Sequence, residues 1–205
     1  MALQPSLHAL QLGVPGAPST LELYIDYVCP FTAKLVKNAL VPIILPLISK
    51  GGKYEGKIKV ILRLTPQPWH ASSMLLHEAA LAAARVAPEK FVDVSVQFFK
   101  HQTEFYDIPA SKLTPTQIRA ALVSLATEVI GQEKGAEMAD LLVHKTTPNG
   151  GTAVTDDLKY NIKMGRQNGI HVTPSAVWDG LFQASVSSSW GKKEWNEFFE
   201  QNVKL

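Results

Sequence analysis

Residues 21–32 have the sequence LELYIDYVCPFT and include Cys29, the only cysteine of the 205-residue chain. Apolar and polar residues alternate from Leu21 to Asp26, which is typical of a β-strand. Pro30 is tolerated in the first turn of a helix, and the residues that follow it are compatible with a helix. The stretch therefore predicts a strand, a short connection and a helix, with Cys29 where the helix begins.

Cys29 is the first candidate for a catalytic residue because of this position. The unpaired backbone N–H groups and the dipole at a helix N-terminus stabilise a thiolate relative to a thiol. The alternative is an inert, buried side chain, which is the usual state of a lone cysteine. We favour the reactive thiol.

The composition indicates a folded globular protein and excludes several function classes. Hydrophobic residues make up 46% of the chain, charged residues 19%, and the formal net charge is +2. No run of basic residues with interleaved aromatic residues occurs, so we expect no nucleic-acid partner. The apolar run at residues 40–48 is short for a membrane span and holds two prolines, so we expect no membrane partner.

The cysteine count and the histidine spacing predict the compartment and the absence of a metal site. One cysteine cannot form an internal disulfide, and residues 1–18 do not resemble a secretory signal. We therefore expect a reducing, cytoplasmic compartment. The six histidines lack the spacing of metal ligands, so we expect no metal and no permanently bound cofactor.

The order of predicted elements indicates an α/β fold with an inserted helical region. A second strand at 57–64 completes a βαβ unit, in which the two strands lie parallel. The later predicted elements are helices at 72–87, 91–102, 114–130, 132–145 and 155–168, a hairpin of 175–178 and 181–184, and a final helix capped by the serines at 187–189. We thus predict the order β-α-β, helical insertion, β-β-α.

This order divides the chain into three predicted parts. Residues 1–18 form an N-terminal arm, with a short strand near 9–12. Residues 19–69 and 169–205 form the α/β domain, and residues 70–168 form the inserted helical domain.

Three short motifs in this order resemble the thioredoxin superfamily, and more narrowly its DsbA-like branch. They are DYVCPFT at 26–32, GIHVTPS at 169–175 and WDG at 178–180, and the resemblance covers about residues 20–203. It implies a thioredoxin-like fold in which Pro174 is a cis-proline beside the redox cysteine. It also implies that the backbone of Thr173 pairs with a substrate strand. Pro30, Phe31, Thr173 and Pro174 are therefore the substrate-binding candidates.

The chain departs from this family at Thr32, because dithiol members carry a second cysteine at the matching position. Without it, Cys29 cannot form the internal disulfide of a dithiol enzyme. A mixed disulfide on Cys29 needs a second molecule to release it, and glutathione is the obvious co-substrate. Thr32 follows one helical turn after Cys29, so its hydroxyl is predicted to donate a hydrogen bond to the thiolate.

Several other side chains have two interpretations each. Asp26 is a proton relay to the sulfur or, as we favour, an acid that caps the helix N-terminus. His70 and His171 could each lie near the groove, but we favour packing or capping for His70 and a neutral surface position for His171. The aromatic residues of 98–106 form a core or line an apolar groove beside Phe31, and we favour the core.

Three functions are compatible with these residues. The leading hypothesis is a thiol-disulfide oxidoreductase that uses Cys29 and acts on glutathione or protein disulfides. The second is a glutathione-dependent transferase or isomerase, similar to kappa-class glutathione transferases. The third is a binding protein of thioredoxin fold that lacks catalysis.

Overall fold

The computed structural model describes residues 3–203 and contains a five-stranded mixed sheet with the order β1-β3-β2-β4-β5. The strands are β1 (Gln11–Gly13), β2 (Ser19–Ile25), β3 (Ile58–Leu64), β4 (Ser175–Trp178) and β5 (Leu181–Phe182). β2 and β3 run parallel, whereas the other three neighbouring pairs are antiparallel. Residues 1–2 of the predicted arm and residues 204–205 of the predicted C-terminal part lie outside the described residues.

The two central strands place their carboxyl ends at one edge of the sheet. Ile25 pairs with Leu64, and every residue of both strands is buried. Strands covered on both faces are typical of the parallel part of an α/β sheet. The segments that follow, Asp26 to Cys29 and Thr65 to Ser72, therefore start side by side.

The helices cover the faces of this sheet and form the insertion. They are α1 (Pro30–Leu35), α2 (Leu45–Ile48), α3 (Ser73–Val86), α4 (Phe91–Lys100), α5 (Asp107–Ala110), α6 (Pro115–Ile130), α7 (Gln132–Leu141), α8 (Thr155–Gln167) and α9 (Lys192–Asn202). α3 to α8 lie between β3 and β4. The predicted α/β order with its helical insertion is confirmed.

The first helix is continuous from α1 to α2 through a π-helical stretch, Val36–Ile44, which contains Pro42. Proline lacks the N–H that an α-helical bond requires, and a wider turn accommodates this loss. By length and composition Pro30–Ile48 passes the test for a membrane-crossing helix, alone among residues 3–203. Its side chains at Leu35, Ala39 and Ile44 are buried in the core.

Most of the predicted signals for helix ends are present in the structure. Thr114 and Gln117 form the predicted capping box of α6, and Gly169 adopts a positive φ of 64° after α8. The predicted cap of the last helix is wrong. α9 begins at Lys192, because the Glu194 carboxylate accepts the N–H of Gly191 at 2.9 Å, so the serines at 187–189 lie outside it.

The N-terminal residues 3–18 contribute to the core. The segment Pro5–Leu10 is a 3-10 helix whose Leu7 and Leu10 are fully buried, and β1 pairs with β3. The predicted strand near 9–12 therefore corresponds to β1, which begins two residues later, at Gln11.

Two buried tyrosines predict how stability depends on alkaline pH. Burial raises the pKa of Tyr27 above its ordinary value, and burial together with the Glu22 carboxylate raises the pKa of Tyr24 to about 12. The unfolded chain therefore ionises first, and the stabilisation present below pH ~10 is lost as the pH rises. We expect the free energy of unfolding to decrease as the pH rises above ~10.

The Tyr27→Phe variant tests this dependence by urea unfolding from neutral to strongly alkaline pH. At neutral pH the variant should be less stable by about 1 kcal/mol, because the hydrogen bond between Tyr27 and Ser95 is lost. The difference from the wild type should shrink as the pH rises. Parallel pH profiles for the two proteins would contradict the role of Tyr27.

Candidate active site

Cys29 lies at the junction of the connection after β2 and the helix α1. Its backbone is extended, with φ −74° and ψ 119°, and its carbonyl accepts the N–H of Ala33 at 3.1 Å. Cys29 is thus the N-cap residue, and Pro30 is the first residue of the helix, as predicted. The Cys29 residue is 5% exposed, so only a small part of it reaches the surface.

The Cys29 sulfur contacts the predicted substrate-binding segment. Its thiol donates a hydrogen bond of 3.2 Å to the carbonyl oxygen of Thr173, and the Thr173–Pro174 peptide bond is cis. Thr173 is 8% exposed, and its hydroxyl oxygen has no hydrogen-bond partner within residues 3–203. Folding therefore brings together Cys29 and Thr173, which are 144 positions apart in the chain. The thiol is bonded to the backbone of the residue that is predicted to pair with a substrate strand.

Asp26 is the most extensively hydrogen-bonded side chain near Cys29. It is fully buried, and its Oδ1 accepts the N–H of Val28 at 2.9 Å and the hydroxyl of Ser73 at 2.6 Å. Its Oδ2 accepts the N–H of Gln67 at 3.1 Å and Nδ1–H of His70 at 2.7 Å. The favoured interpretation of Asp26 as a helix cap is wrong, because its donors lie before α1 and after β3. We call these five residues the Asp26 cluster.

A cavity of about 430 Å³ opens between the start of α1 and the insertion. Val28 and Pro30, the two neighbours of Cys29 in the chain, line it, and so do His70, Thr103, Tyr106, Asp107, Ile108 and Pro109. The lining is mainly apolar. His70 thus lies near the groove, and the cavity lies against the segment that carries the sulfur.

Gln102 and Tyr106 connect the insertion to the cysteine segment, and no pattern in the sequence indicates this role for Gln102. The Gln102 amide donates to the carbonyls of Tyr27 at 2.7 Å and Cys29 at 3.0 Å, and Tyr106 donates to Gln102 at 2.8 Å. Burial raises the pKa of Tyr106, and the negative charge of a Cys29 thiolate adds to this. Tyr106 therefore lies within electrostatic reach of the sulfur.

Comparison with known proteins places this geometry in a family. The sequence model of the family described as Thioredoxin matches residues 6–189, which is most of the chain. The chain belongs to the thioredoxin family. No curated protein matches the sequence.

Solved structures with the same fold include DsbA-like members of the thioredoxin family. A proposed protein-disulfide isomerase from Pseudomonas syringae is 25% identical, with a TM-score of 0.72 and coverage of 94% of this chain and 98% of its own. The thiol-disulfide exchange protein α-DsbA2 from Wolbachia pipientis is 16% identical, with a TM-score of 0.64 and coverage of 93% and 85%. BdbD from Bacillus subtilis is 18% identical, with a TM-score of 0.66 and coverage of 97% and 95%. The predicted thioredoxin superfamily is confirmed, and these structures share the fold of this chain.

Thr32, where dithiol thioredoxin-family enzymes carry their second cysteine, has a different environment from the predicted one. It is fully buried, and its hydroxyl oxygen accepts the N–H of Asp26 at 3.4 Å. No hydrogen bond joins Thr32 to the Cys29 sulfur anywhere in residues 3–203. The predicted hydrogen bond is therefore absent here, because the Thr32 side chain is turned toward the end of β2. Its catalytic role stays a prediction.

The surface of this thioredoxin-family site carries several large apolar side chains. Phe31 is 61% exposed, and Trp69, Ile108 and Val172 are 57%, 78% and 56% exposed. Of the aromatic residues at 98–106, Phe98 and Phe105 are buried in the core, whereas Tyr106 lines the cavity. His171 is exposed.

The described residues contain no cluster of metal ligands. Within residues 3–203, no group of three or more His, Cys, Asp or Glu side chains could hold a metal ion. The chemistry that the site offers is that of one thiol with a buried carboxylate, an imidazole and an apolar cavity beside it.

Proposed function

We propose that this protein is a thiol-disulfide oxidoreductase that works through Cys29 alone, with glutathione as its second thiol. The observation that carries the proposal is the contact of the Cys29 sulfur with the Thr173 carbonyl, 3.2 Å away, beside Pro174 and at the start of a helix. Membership of the thioredoxin family supports this chemistry. The buried Thr32 at the second cysteine position supports a single-thiol mechanism.

The proposed cycle has two exchange steps. The Cys29 thiolate attacks one sulfur of a disulfide, a bond forms between the two sulfurs, and the other half leaves as a thiolate that takes a proton from solvent. A glutathione thiolate then attacks the mixed disulfide, and Cys29 leaves with the bonding electron pair. The products are the thiol released first, a disulfide between glutathione and the second half of the substrate, and the regenerated Cys29 thiolate. When that second half is a glutathionyl group, the disulfide formed is oxidised glutathione and the substrate is fully reduced.

The proposed cycle requires a compartment in which reduced glutathione is abundant. We infer a cytoplasmic protein, because there glutathione is held reduced and disulfides do not persist. The proposed partners are glutathione and protein disulfides, with neither a nucleic acid nor a membrane. No permanently bound cofactor is required, since glutathione enters as a co-substrate.

Incubation with oxidised glutathione tests the proposal directly. We expect mass spectrometry of the intact protein to show one added glutathionyl group, and peptide mapping to place it on Cys29. The Cys29→Ser variant, treated in the same way, should stay unmodified. An unmodified wild-type protein, or a Cys29 that alkylates no faster than a free thiol near neutral pH, would overturn the proposal.

The apolar cavity supports a second candidate function, that of a glutathione-dependent transferase or isomerase. Its volume of about 430 Å³ and its lining by Ile108, Pro109 and Tyr106 suit an apolar or aromatic substrate. In this case the sulfur of glutathione reacts, and Cys29 does not. Conjugation of an aromatic electrophile that survives Cys29→Ser would support this function, and loss of conjugation in that variant would exclude it.

A further inference from the structure

His70 and Asp26 form a pair whose geometry fits acid–base chemistry. Asp26 is fully buried, and its Oδ2 lies 2.7 Å from Nδ1 of His70. An ionised carboxylate can only accept hydrogen bonds, so Nδ1 carries a proton. In the neutral ring, Nε2 then holds a lone pair.

The free ring nitrogen is available to a ligand in the cavity. His70 lines the cavity, its side chain is 19% exposed, and Nε2 has no hydrogen-bond partner within residues 3–203. Val28 and Pro30 line the same cavity on either side of Cys29. The two neighbours of Cys29 thus connect its segment to the cavity that holds the imidazole, and a group on the Cys29 sulfur contacts His70 where it extends into this cavity.

We propose that His70 is the general base that deprotonates the thiol which releases Cys29 from its mixed disulfide. Asp26 is the positioning residue that fixes the ring and its tautomer. This inference rests on the proposed function and identifies how a chain without a second cysteine completes its cycle. A resolving cysteine would attack as an internal thiolate, whereas a thiol from solvent arrives mostly protonated and needs a base.

Release is a thiol–disulfide exchange in which one proton moves to His70. The thiol of reduced glutathione gives its proton to Nε2 of His70, and its sulfur forms a bond to the glutathionyl sulfur on Cys29. The bond to Cys29 breaks, and its electron pair stays on the Cys29 thiolate. Oxidised glutathione leaves, and His70 returns its proton to solvent.

The His70→Asn variant separates release from formation of the mixed disulfide. The asparagine amide can replace Nδ1 as a donor to Asp26, but no base remains at the position of Nε2. The protein is first glutathionylated, the excess reagent is removed, and release by reduced glutathione is followed by rapid quenching and mass spectrometry. We expect the release rate to fall by about 10²-fold, the contribution of a positioned general base.

Two further variants distinguish base catalysis from a structural effect. His101→Asn removes another carboxylate-bonded histidine, 2.7 Å from Glu104 and outside the cavity, and should release glutathione at the wild-type rate. In His70→Ala, added imidazole should restore release, because it supplies the missing base in the vacated space. The same concentration of imidazole should not accelerate the wild type.

The outcomes are distinct for the two proposals. Wild-type release rates in His70→Asn, or no effect of imidazole on His70→Ala, would overturn the role of His70 and leave the role of Cys29 intact. Failure of the wild type to form any mixed disulfide would overturn both.

Discussion

Replacement of Asp26 by alanine is expected to lower the free energy of unfolding by about 3–5 kcal/mol. The Asp26 carboxylate accepts hydrogen bonds from four donors, and the substitution leaves the N–H groups of Val28 and Gln67 unpaired at a buried position. An unpaired buried donor costs about 1–3 kcal/mol, and two such groups account for most of the loss. Urea unfolding at neutral pH measures the change.

A matched control separates the buried cluster from a generic loss of charge. Asp140 lies exposed on α7, and its side chain forms no hydrogen bond or ion pair with any of residues 3–203. Asp140→Ala should therefore change the unfolding free energy by no more than about 0.5 kcal/mol. A similar, small loss for both variants would show that the Asp26 hydrogen bonds contribute little net stability.

The Asp26→Ala substitution should also slow the release of glutathione from Cys29. This is measured at low temperature, where the variant stays folded. Without Asp26, the ring of His70 has no partner that fixes its tautomer. We therefore expect slow release of glutathione from Cys29 in Asp26→Ala, in the direction of the His70→Asn variant. This links the stability of the cluster to the proposed release step.

The sequence predicts the fold and the position of the sulfur because both depend on local signals. The alternation in residues 21–26, the proline after Cys29 and the capping box at Thr114 act over a few residues, and the structure has the corresponding elements. The order of the elements then limits the topology. These features need no information about distant contacts.

The environment of Asp26 could not be predicted in this way, because its donors come from separate segments. Val28 precedes α1, whereas His70 and Ser73 follow β3, and their approach depends on the parallel register of β2 and β3. Gln102 reaches Cys29 from the inserted helical region across 73 positions. A buried acid three residues before a cysteine looks locally like a helix cap, and only the assembled sheet edge shows otherwise.

Replacement of Arg63 by methionine is expected to destabilise the protein by about 3–5 kcal/mol, because it leaves Glu22 buried without its opposite charge. Nε of Arg63 lies 2.6 Å from the Glu22 carboxylate, and both side chains are almost fully buried. Glu22 lies on β2 and Arg63 on β3, so the pair joins the two central strands. Urea unfolding of the single variant measures the cost.

The double variant Glu22→Leu with Arg63→Met decides whether the pair itself stabilises the fold. Removal of both charges leaves neither member of the pair as a buried ion without the other, and buried ion pairs replaced by apolar side chains are often neutral or stabilising. We therefore expect the double variant to recover most of the stability lost in Arg63→Met. Tyr24 would lose its contact with Glu22 but keep the hydrogen bond from Asn168 at 2.7 Å. A double variant as unstable as the sum of both single variants would contradict this, since it would mean that each side chain stabilises the sheet independently of the other charge.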